Sequence, residues 1–362
     1  MLSTPEPESL FALVQPVLNS ADVVVGQGEA PFTDRGINTF NPISIMPCNP
    51  SNMRALPFAG FNVITLAGNH IWDWGAPGIE DTIAGLRNYG IAVTGAGMNI
   101  DEARKPAIIE RRGTRFGFLN YNCVGPKESW ASPDKPGCAY VYIITYYELD
   151  HPTPGGTPTI YTFAEPCSLQ WMIDDIHKLR PLCDVLVVVF HKGLGMVSTK
   201  LAMYEQPMTY AAIDAGADLI LGHHAHILKG IEQYKGKTIF HGLGNFITPT
   251  RITEKDSWTM QQFVSASRQK EVFGFEPDFE YPLPLWHPES RQTIIAKCII
   301  EDGRISQVSY LPCLINKQAQ PEILRNDERG RQVFDYMDKI TKGAGLNVYY
   351  SWEGDEVVIH GQ

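Results

Sequence analysis

The chain has no run of about 18 apolar residues, the length that a membrane-spanning helix requires. Its first ten residues, MLSTPEPESL, lack both the basic region and the apolar region of a secretory signal peptide. We therefore expect a cytoplasmic protein with no membrane span.

The seven cysteines include no CxxC pair, and their number is odd. We expect reduced, mostly structural thiols in a reducing compartment. Blocks of like charge are also absent, although the net charge is −10. An acidic surface disfavours nonspecific nucleic-acid binding, so we expect no nucleic-acid partner.

Internal repeats and low-complexity tracts are absent as well. With 362 residues, 44% of them apolar, the chain is long enough for one large α/β domain with an appended piece, or for two domains. We expect a core over residues 1–250, and an insertion with the closing β-strands of the same domain over residues 251–345. Residues 346–362 are expected to form a C-terminal hairpin tail.

Short apolar runs alternate with amphipathic segments, which predicts neighbouring parallel strands. A strand at residues 62–67 precedes a helix near 77–88 and a strand at 91–94. The clearest buried strand is DVLVVVF at residues 184–190. It follows a helix for which Ser168 is the expected N-cap.

Polar side chains that can bind metals follow the apolar strands directly. Six of the ten histidines are among them, and the full set is Glu29, Asn69, His70, Asp73, His191, His223, His224, His226 and His241. In an open α/β sheet, ligands bind beyond the carboxyl ends of the strands. We therefore expect these side chains to meet at one edge of a sheet.

The GHHAH segment at residues 222–226 is the strongest single motif. Imidazole nitrogens suit Zn, Fe and Mn. Because alternate side chains share a face on an extended chain, His224 and His226 are expected to meet one ion while His223 points elsewhere. The alternative interpretation is a solvated cluster, or histidines hydrogen-bonded within the core.

The GNH segment at residues 68–70 offers a second group of functional side chains. Asn69 can give a neutral oxygen to a metal, and His70 can act as a general acid or bind a developing negative charge. Asp73 can orient His70 through a hydrogen bond, or serve only as a cap or turn carboxylate. His191 is expected to be a ligand, and Glu29 is equally a ligand or a solvated carboxylate.

Two other polar segments receive structural or surface roles. Lys192 is expected to be exposed, with contact to a substrate as the alternative. The HGLGN segment at residues 241–245 is expected to form a tight turn beneath the site.

Six segments together resemble the poly-γ-glutamate capsule biosynthesis protein (CapA) family. They are ADVVVGQGEAP at 21–31, LAGNHIWDWG at 66–75, GAGMNIDEARKP at 95–106, FHKG at 190–193, GHHAHI at 222–227 and GLGNF at 242–246. The resemblance implies a calcineurin-like metallophosphoesterase sandwich, an α/β fold with two β-sheets flanked by helices. It implies metal ligands at Glu29, Asn69, His191, His224 and His226, and we take His70, Asp73 and His223 as the candidate catalytic residues.

The chain departs from the family pattern at its start. The family opens with a strand ending in Gly-Asp, whose Asp holds the first metal, and this sequence begins after that point, so either its start is truncated or the site lacks this ligand. We therefore expect at most one divalent ion, of Zn, Mn or Fe, or none. Cell-surface members of the family usually carry an N-terminal anchor, and we expect none in this chain.

Three functions are compatible with these features. The first is a metal-dependent hydrolase of a phosphoester, or of an amide in an acidic peptide of the poly-γ-glutamate type. The second is a metal-independent acid/base enzyme that tailors a peptide, for example an epimerase. The third is a noncatalytic subunit of a capsule-polymer synthesis assembly. The first two imply a small-molecule or peptide substrate.

Overall fold

The computed structural model of the protein describes residues 6–39, 45, 47–149, 156, 158–249, 280–281 and 287–361. Most of the insertion predicted after residue 250 lies outside these residues. Within them, the α-helices are α1 (Gln15–Leu18), α2 (Ala55–Phe58), α3 (Gly75–Asn88), α4 (Ile100–Ala103), α5 (Pro166–Leu179), α6 (Glu205–Asp214) and α7 (Glu328–Gly343). The β-strands in the first part of the chain are β1 (Val25–Gln27), β2 (Val63–Thr65), β3 (Ala92–Thr94), β4 (Ala96–Gly97), β5 (Ala107–Arg111), β6 (Thr114–Asn122), β7 (Gly137–Cys138), β8 (Ile143–Glu148) and β9 (Thr159–Ala164). Those that follow are β10 (Val185–Lys192), β11 (Leu219–His224), β12 (Leu228–Tyr234), β13 (Lys237–Leu243), β14 (Gln292–Glu301), β15 (Arg304–Ile315), β16 (Pro321–Ile323), β17 (Val348–Glu353) and β18 (Glu356–Gly361).

A three-stranded sheet with the order β1-β2-β3 opens the fold, and all its strands are parallel. Helix α3 connects β2 to β3, as the predicted strand–helix–strand unit requires. This sheet brings the segments that follow β1 and β2 to the same edge.

The central sheet has six strands in the order β12-β13-β11-β10-β6-β5. Strands β6, β10, β11 and β13 are parallel, whereas β5 and β12 pair antiparallel at the two edges. In the β10–β11 pair, His191 is the register partner of His223 and Lys192 is the partner of His224. The ladder therefore places two histidines side by side.

Strand β10 is buried on both faces, and its side chains alternate between two apolar cores. Val185, Val187 and Val189 belong to one core, which also contains Tyr310 of β15 and Met337 of α7. Its intervening residues, including Phe190, pack with α5 and α6 in the other core. This period-two alternation is the reason why the segment forms a central strand.

The second large sheet has five strands, in the order β14-β15-β18-β17, with β16 pairing to β15. It packs on the face of the central sheet opposite to α5 and α6, and α7 lies with it. The predicted class, an α/β fold with β-sheets flanked by helices, is confirmed. The smaller pairs β4–β7 and β8–β9 are antiparallel.

Several element predictions were wrong in detail. The strand expected at residues 62–67 is shorter in the structure, where β2 spans Val63–Thr65. The N-cap of α5 is Glu165, whose carboxylate accepts the N–H groups of Cys167 and Ser168. Strand β12 was not predicted, because Lys229 and Glu232 interrupt its apolar pattern, yet both side chains are buried.

Two further predictions concern the cysteines and the membrane. All seven cysteines are free thiols, as expected. In the part of the chain that the structure describes, no helix combines the length and the apolar character that crossing a membrane needs.

Candidate functional site

Three side chains from two sheets meet at the carboxyl ends of β2 and β10. Asn69 Oδ1, after β2, lies 2.8 Å from Nε2 of His191 at the end of β10. The same His191 Nε2 lies 3.0 Å from Nδ1 of His224, at the end of β11. Asn69 is 4% exposed and His191 is fully buried. The structure thus places these three predicted ligands in direct contact.

His223 faces His191 from the neighbouring strand. The two Nδ1 atoms are 2.7 Å apart, and the ring centroids are 4.7 Å apart. The expectation that His223 points elsewhere was wrong, because the chain is not extended here. His224 has a φ of 93° and His226 a φ of 53°, so the alternation of an extended chain does not apply. The other ring nitrogen of His223, Nε2, is buried with no hydrogen-bond partner.

His226 is held by two side chains that flank its ring. Its Nδ1 lies 2.8 Å from Asn245 Oδ1, and its Nε2 lies 3.3 Å from Glu29 Oε1. We expected His226 to share an ion with His191 and His224, but both of its nitrogens face these other partners. The GLGN turn was predicted to be structural only, and Asn245 within it positions His226.

The predicted pair of His70 and Asp73 forms a buried hydrogen bond. Asp73 Oδ2 lies 2.7 Å from His70 Nδ1, and the same oxygen accepts the N–H of Ile45. On the other side of the ring, His70 Nε2 lies 3.2 Å from the Asn69 amide nitrogen. Asp73 is 1% exposed, so it also contributes to the packing of this loop.

Burial determines the charge of the central histidines. It lowers the pKa of His223 to about 3 and the pKa of His224 to about 4. Burial, together with the charges of His224 and His223, holds the pKa of His191 well below its usual range. All three rings are therefore neutral at pH 7, which is the form that binds metals.

Glu29 and His226 behave as an ion pair. Burial raises the pKa of the Glu29 carboxyl, but the charge of His226 and its hydrogen bond lower it, and the net pKa is well below the ordinary value. Burial lowers the pKa of His226, whereas the Glu29 carboxylate raises it, and the net pKa is raised. The negative charge of Glu29 is therefore offset by the His226 ring whenever that ring is protonated.

A buried charged network lies behind the histidines. Lys192 was expected to be exposed, but it is 0% exposed and its Nζ lies 2.6 Å from Oε2 of the equally buried Glu205. The same Nζ lies 3.1 Å from His241 Nδ1, and His241 Nε2 lies 2.9 Å from Glu232 Oε2. The prediction failed because the partner that makes burial tolerable lies on α6.

Gln27 is a site residue that the sequence interpretation passed over. Its Nε2 is buried and has no hydrogen-bond partner. A Cβ on Gly68 would lie 3.4 Å from this Nε2 and also 3.4 Å from the His191 ring, so both side chains face Gly68. The available signal was its position at the end of β1, two residues before Glu29.

The donors of this site fit one transition-metal ion by their chemistry. Within the described ranges, no three His, Cys, Asp or Glu side chains are positioned to hold an ion together. The set that meets at His191 instead combines two neutral imidazoles with the amide oxygen of Asn69. Bonds of about 2.1 Å separate neighbouring ligand atoms by roughly 3.0–3.4 Å. The observed 2.8 and 3.0 Å are within a few tenths of an ångström of that spacing.

Comparison with known proteins assigns the chain to a family. The model of the family described as bacterial capsule synthesis protein PGA_cap matches residues 2–250. The chain is 25% identical over 304 residues to the PGA biosynthesis protein CapA of Bacillus subtilis, covering 83% of this chain and 73% of that protein. It is 30% identical over 235 residues to a probable polyglutamine synthesis accessory protein of Mycobacterium tuberculosis, covering 64% of this chain and 54% of that protein. The chain thus spans just over half of the mycobacterial relative.

Among solved structures, a hypothetical protein from Thermus thermophilus aligns with a TM-score of 0.45 at 15% identity. The alignment covers 85% of this chain and 94% of that protein.

Proposed function

Because the chain belongs to the bacterial capsule synthesis protein PGA_cap family, we propose that it is a hydrolase that acts at the Asn69–His191–His224 site. Its substrate in this proposal is an acidic peptide of the poly-γ-glutamate type, cleaved at an amide, or a phosphoester. The observation that carries the proposal is the His70–Asp73 hydrogen bond beside Asn69.

This pair has the arrangement of a general acid/base. Asp73 holds His70 at Nδ1, which leaves Nε2 to move a proton at the edge of the Asn69–His191–His224 set. A carboxylate that fixes the ring also fixes which nitrogen carries the proton. In the proposal, His70 Nε2 takes a proton from the attacking water and returns it to the leaving group as the bond breaks, while Asp73 keeps the ring oriented.

The ligand set is assigned by donor chemistry and proximity. A Zn, Mn or Fe ion would be held by Asn69, His191 and His224, with Glu29 and His226 beside it. Such an ion supplies Lewis acidity toward the bond to be cleaved. The neutral rings of His191 and His224 suit this role, because binding would displace no protons from them at pH 7.

The choice of an acidic substrate rests on the names of two relatives, and the charge of the chain opposes it. The names of the two relatives connect those proteins to PGA biosynthesis and polyglutamine synthesis. The chain itself has a net charge of −10. An acidic substrate would therefore be repelled unless a cation reversed the local field.

A metal-independent acid/base reaction is the second candidate. It is favoured by the His70–Asp73 pair, whose hydrogen bond is complete without an ion. In this case the same histidine would transfer a proton on a peptide substrate, as in an epimerisation.

One experiment separates these functions. Bis(p-nitrophenyl) phosphate and a γ-glutamyl p-nitroanilide would be assayed with protein as purified, after chelation, and after return of Zn, Mn or Fe. The variants are His70→Ala and His224→Ala, and the matched control is His177→Ala, an exposed histidine on α5.

We expect both site variants to lose hydrolysis and the control to retain it. Hydrolysis that survives chelation but is lost in His70→Ala would show that the reaction depends on the His70–Asp73 pair and not on an ion, which contradicts the metal-dependent proposal. Absence of hydrolysis in wild type under all metal conditions would overturn it.

A further inference from the structure

Asn120, on β6, connects the two sheets that carry the site. Its Oδ1 accepts the N–H of Ala67 at 2.5 Å, and its Nδ2 donates to the carbonyl of Val189 at 3.1 Å. The residue is 1% exposed. One buried side-chain amide thus forms hydrogen bonds to the backbones of two segments that belong to different sheets.

The two backbone partners stand in equivalent positions relative to the site. Ala67 precedes Asn69 by two residues, and Val189 precedes His191 by two residues. Asn69 and His191 are the side chains that contact each other at 2.8 Å. Asn120 therefore holds both backbones two residues before the side chains, Asn69 and His191, that contact each other.

Ladder pairing does not provide this connection in the described residues. Strand β2 pairs only with β1 and β3 there, whereas β10 pairs with β6 and β11. The relative position of Asn69 and His191 depends on contacts between the sheets. The Asn120 amide is such a contact, and it is inaccessible to competing water.

Gly95 makes room for this connection. It has a φ of 96°, and a Cβ at this position would meet Asn120 Oδ1 and lie 2.7 Å from the Ala67 nitrogen. Any other residue would push apart the two atoms that the hydrogen bond joins. The hydrogen bond between Asn120 and Ala67 therefore depends on the glycine at position 95 as well as on the Asn120 side chain.

We infer that Asn120 is a positioning residue that sets the relative position of Asn69 and His191, and so the ability of the site to hold an ion. The part that concerns the ion rests on the proposed function, whereas the part that concerns the Asn69–His191 contact does not.

The test uses Asn120→Leu, which keeps the branched shape of the side chain and removes both hydrogen bonds, and Gly95→Ala, which separates the same atoms sterically. The matched control is Asn62→Ala. Asn62 accepts the N–H of Val24 through Oδ1, at the opposite end of β2. Circular dichroism and melting curves would establish that each variant is folded.

The first readout is the ring ¹⁵N spectrum of histidine-labelled, chelator-treated protein, with His191 assigned by its loss in His191→Gln. We expect the His191 Nε2 signal to move toward that of free imidazole in both test variants, and to stay in place in Asn62→Ala. The second readout is the zinc dissociation constant by competition with a chromophoric chelator. It is expected to rise about 10- to 100-fold in the test variants alone.

The outcomes are distinguishable. If Asn120→Leu lowers the melting temperature like Asn62→Ala but leaves the His191 signal unchanged, Asn120 is only a structural residue and the inference is wrong. If wild type binds no zinc while the His191 signal moves as expected, the metal part of the proposed function fails and the positioning role stands.

Discussion

Lys192 Nζ and Glu205 Oε2 lie 2.6 Å apart, and both side chains are 0% exposed. The pair connects β10 to α6 directly behind His191. Removing one partner of a buried ion pair leaves an uncompensated charge, which costs about 3–5 kcal/mol. Lys192→Met and Glu205→Gln are each expected to lower the free energy of unfolding by about this amount.

The double variant is the control for this prediction. The double variant, Lys192→Met with Glu205→Gln, removes both charges and leaves no uncompensated charge. It should therefore be more stable than the sum of the two single changes predicts. Urea denaturation of the four proteins measures the difference. Strictly additive losses would show that the two charges do not stabilise each other.

Asp73→Asn tests the hydrogen bond to His70. The amide can still accept the N–H of Ile45, but it offers His70 Nδ1 only one neutral oxygen in place of the carboxylate, so the ring is held less firmly. We expect kcat/KM to fall by about 100-fold or more while the melting temperature stays nearly constant. Asp174→Asn, whose carboxylate accepts the Gln170 amide on the surface of α5, is the control. A matching loss of stability would identify Asp73 as a structural cap.

Metal content separates the roles of His224 and His226. We expect wild type to hold at most one ion per chain after dialysis, and His224→Ala to lose it. His226→Ala should retain the ion with weaker affinity, because both of its nitrogens face Asn245 and Glu29. Elemental analysis decides. Two stoichiometric ions in wild type, or equal losses in the two variants, would contradict this arrangement.

Asp218 gives a pH-dependent contribution to stability away from the site. Burial raises the pKa of its carboxyl, but Lys237, Arg180 and the N–H of Leu186 lower it, and the net pKa is below the ordinary value. The stabilisation is therefore fully present above the ordinary pKa of 3.8 and is lost as the pH falls through the folded-state pKa.

The corresponding variant is Asp218→Asn. Its unfolding free energy should be lower than that of wild type by about 1–3 kcal/mol at pH 7, and the gap should shrink as the pH falls below 3.8. Asp214→Asn removes an exposed ion pair with Lys235 and should have little effect at either pH. A gap for Asp218→Asn that stays constant with pH would show that charge is not the cause.

The sequence predicted the strands that carry the site, because apolar runs such as residues 184–190 have a clear period and end in polar residues. It also predicted the partner of His70, since a carboxylate three residues away can fold back onto the ring. The orientation of His223 was wrong, because positive φ values at His224 and His226 depend on the surrounding fold. Sequence patterns alone do not show such local conformations.

The burial of charged groups was the least predictable feature. Lys192 is buried because Glu205 lies opposite it, and Lys229 is buried because its Nζ donates to the carbonyls of Val197 and Lys200. These partners belong to other elements, and one sequence does not reveal which elements will face each other. The same limit applies to Asn245, whose role depends on its contact with His226.

The parallel register of β10 and β11 has a consequence for how this site can change. His191 and His223 are register partners, and their ring centroids are 4.7 Å apart, which matches the separation of neighbouring strands in any sheet. The strand pairing thus fixes the distance between His191 and His223 on this side of the site. Substitutions in the apolar cores cannot widen this side without breaking strand pairing. Divergence toward new substrates would therefore have to proceed through the loops around the site, while the spacing of the two rings stays constant.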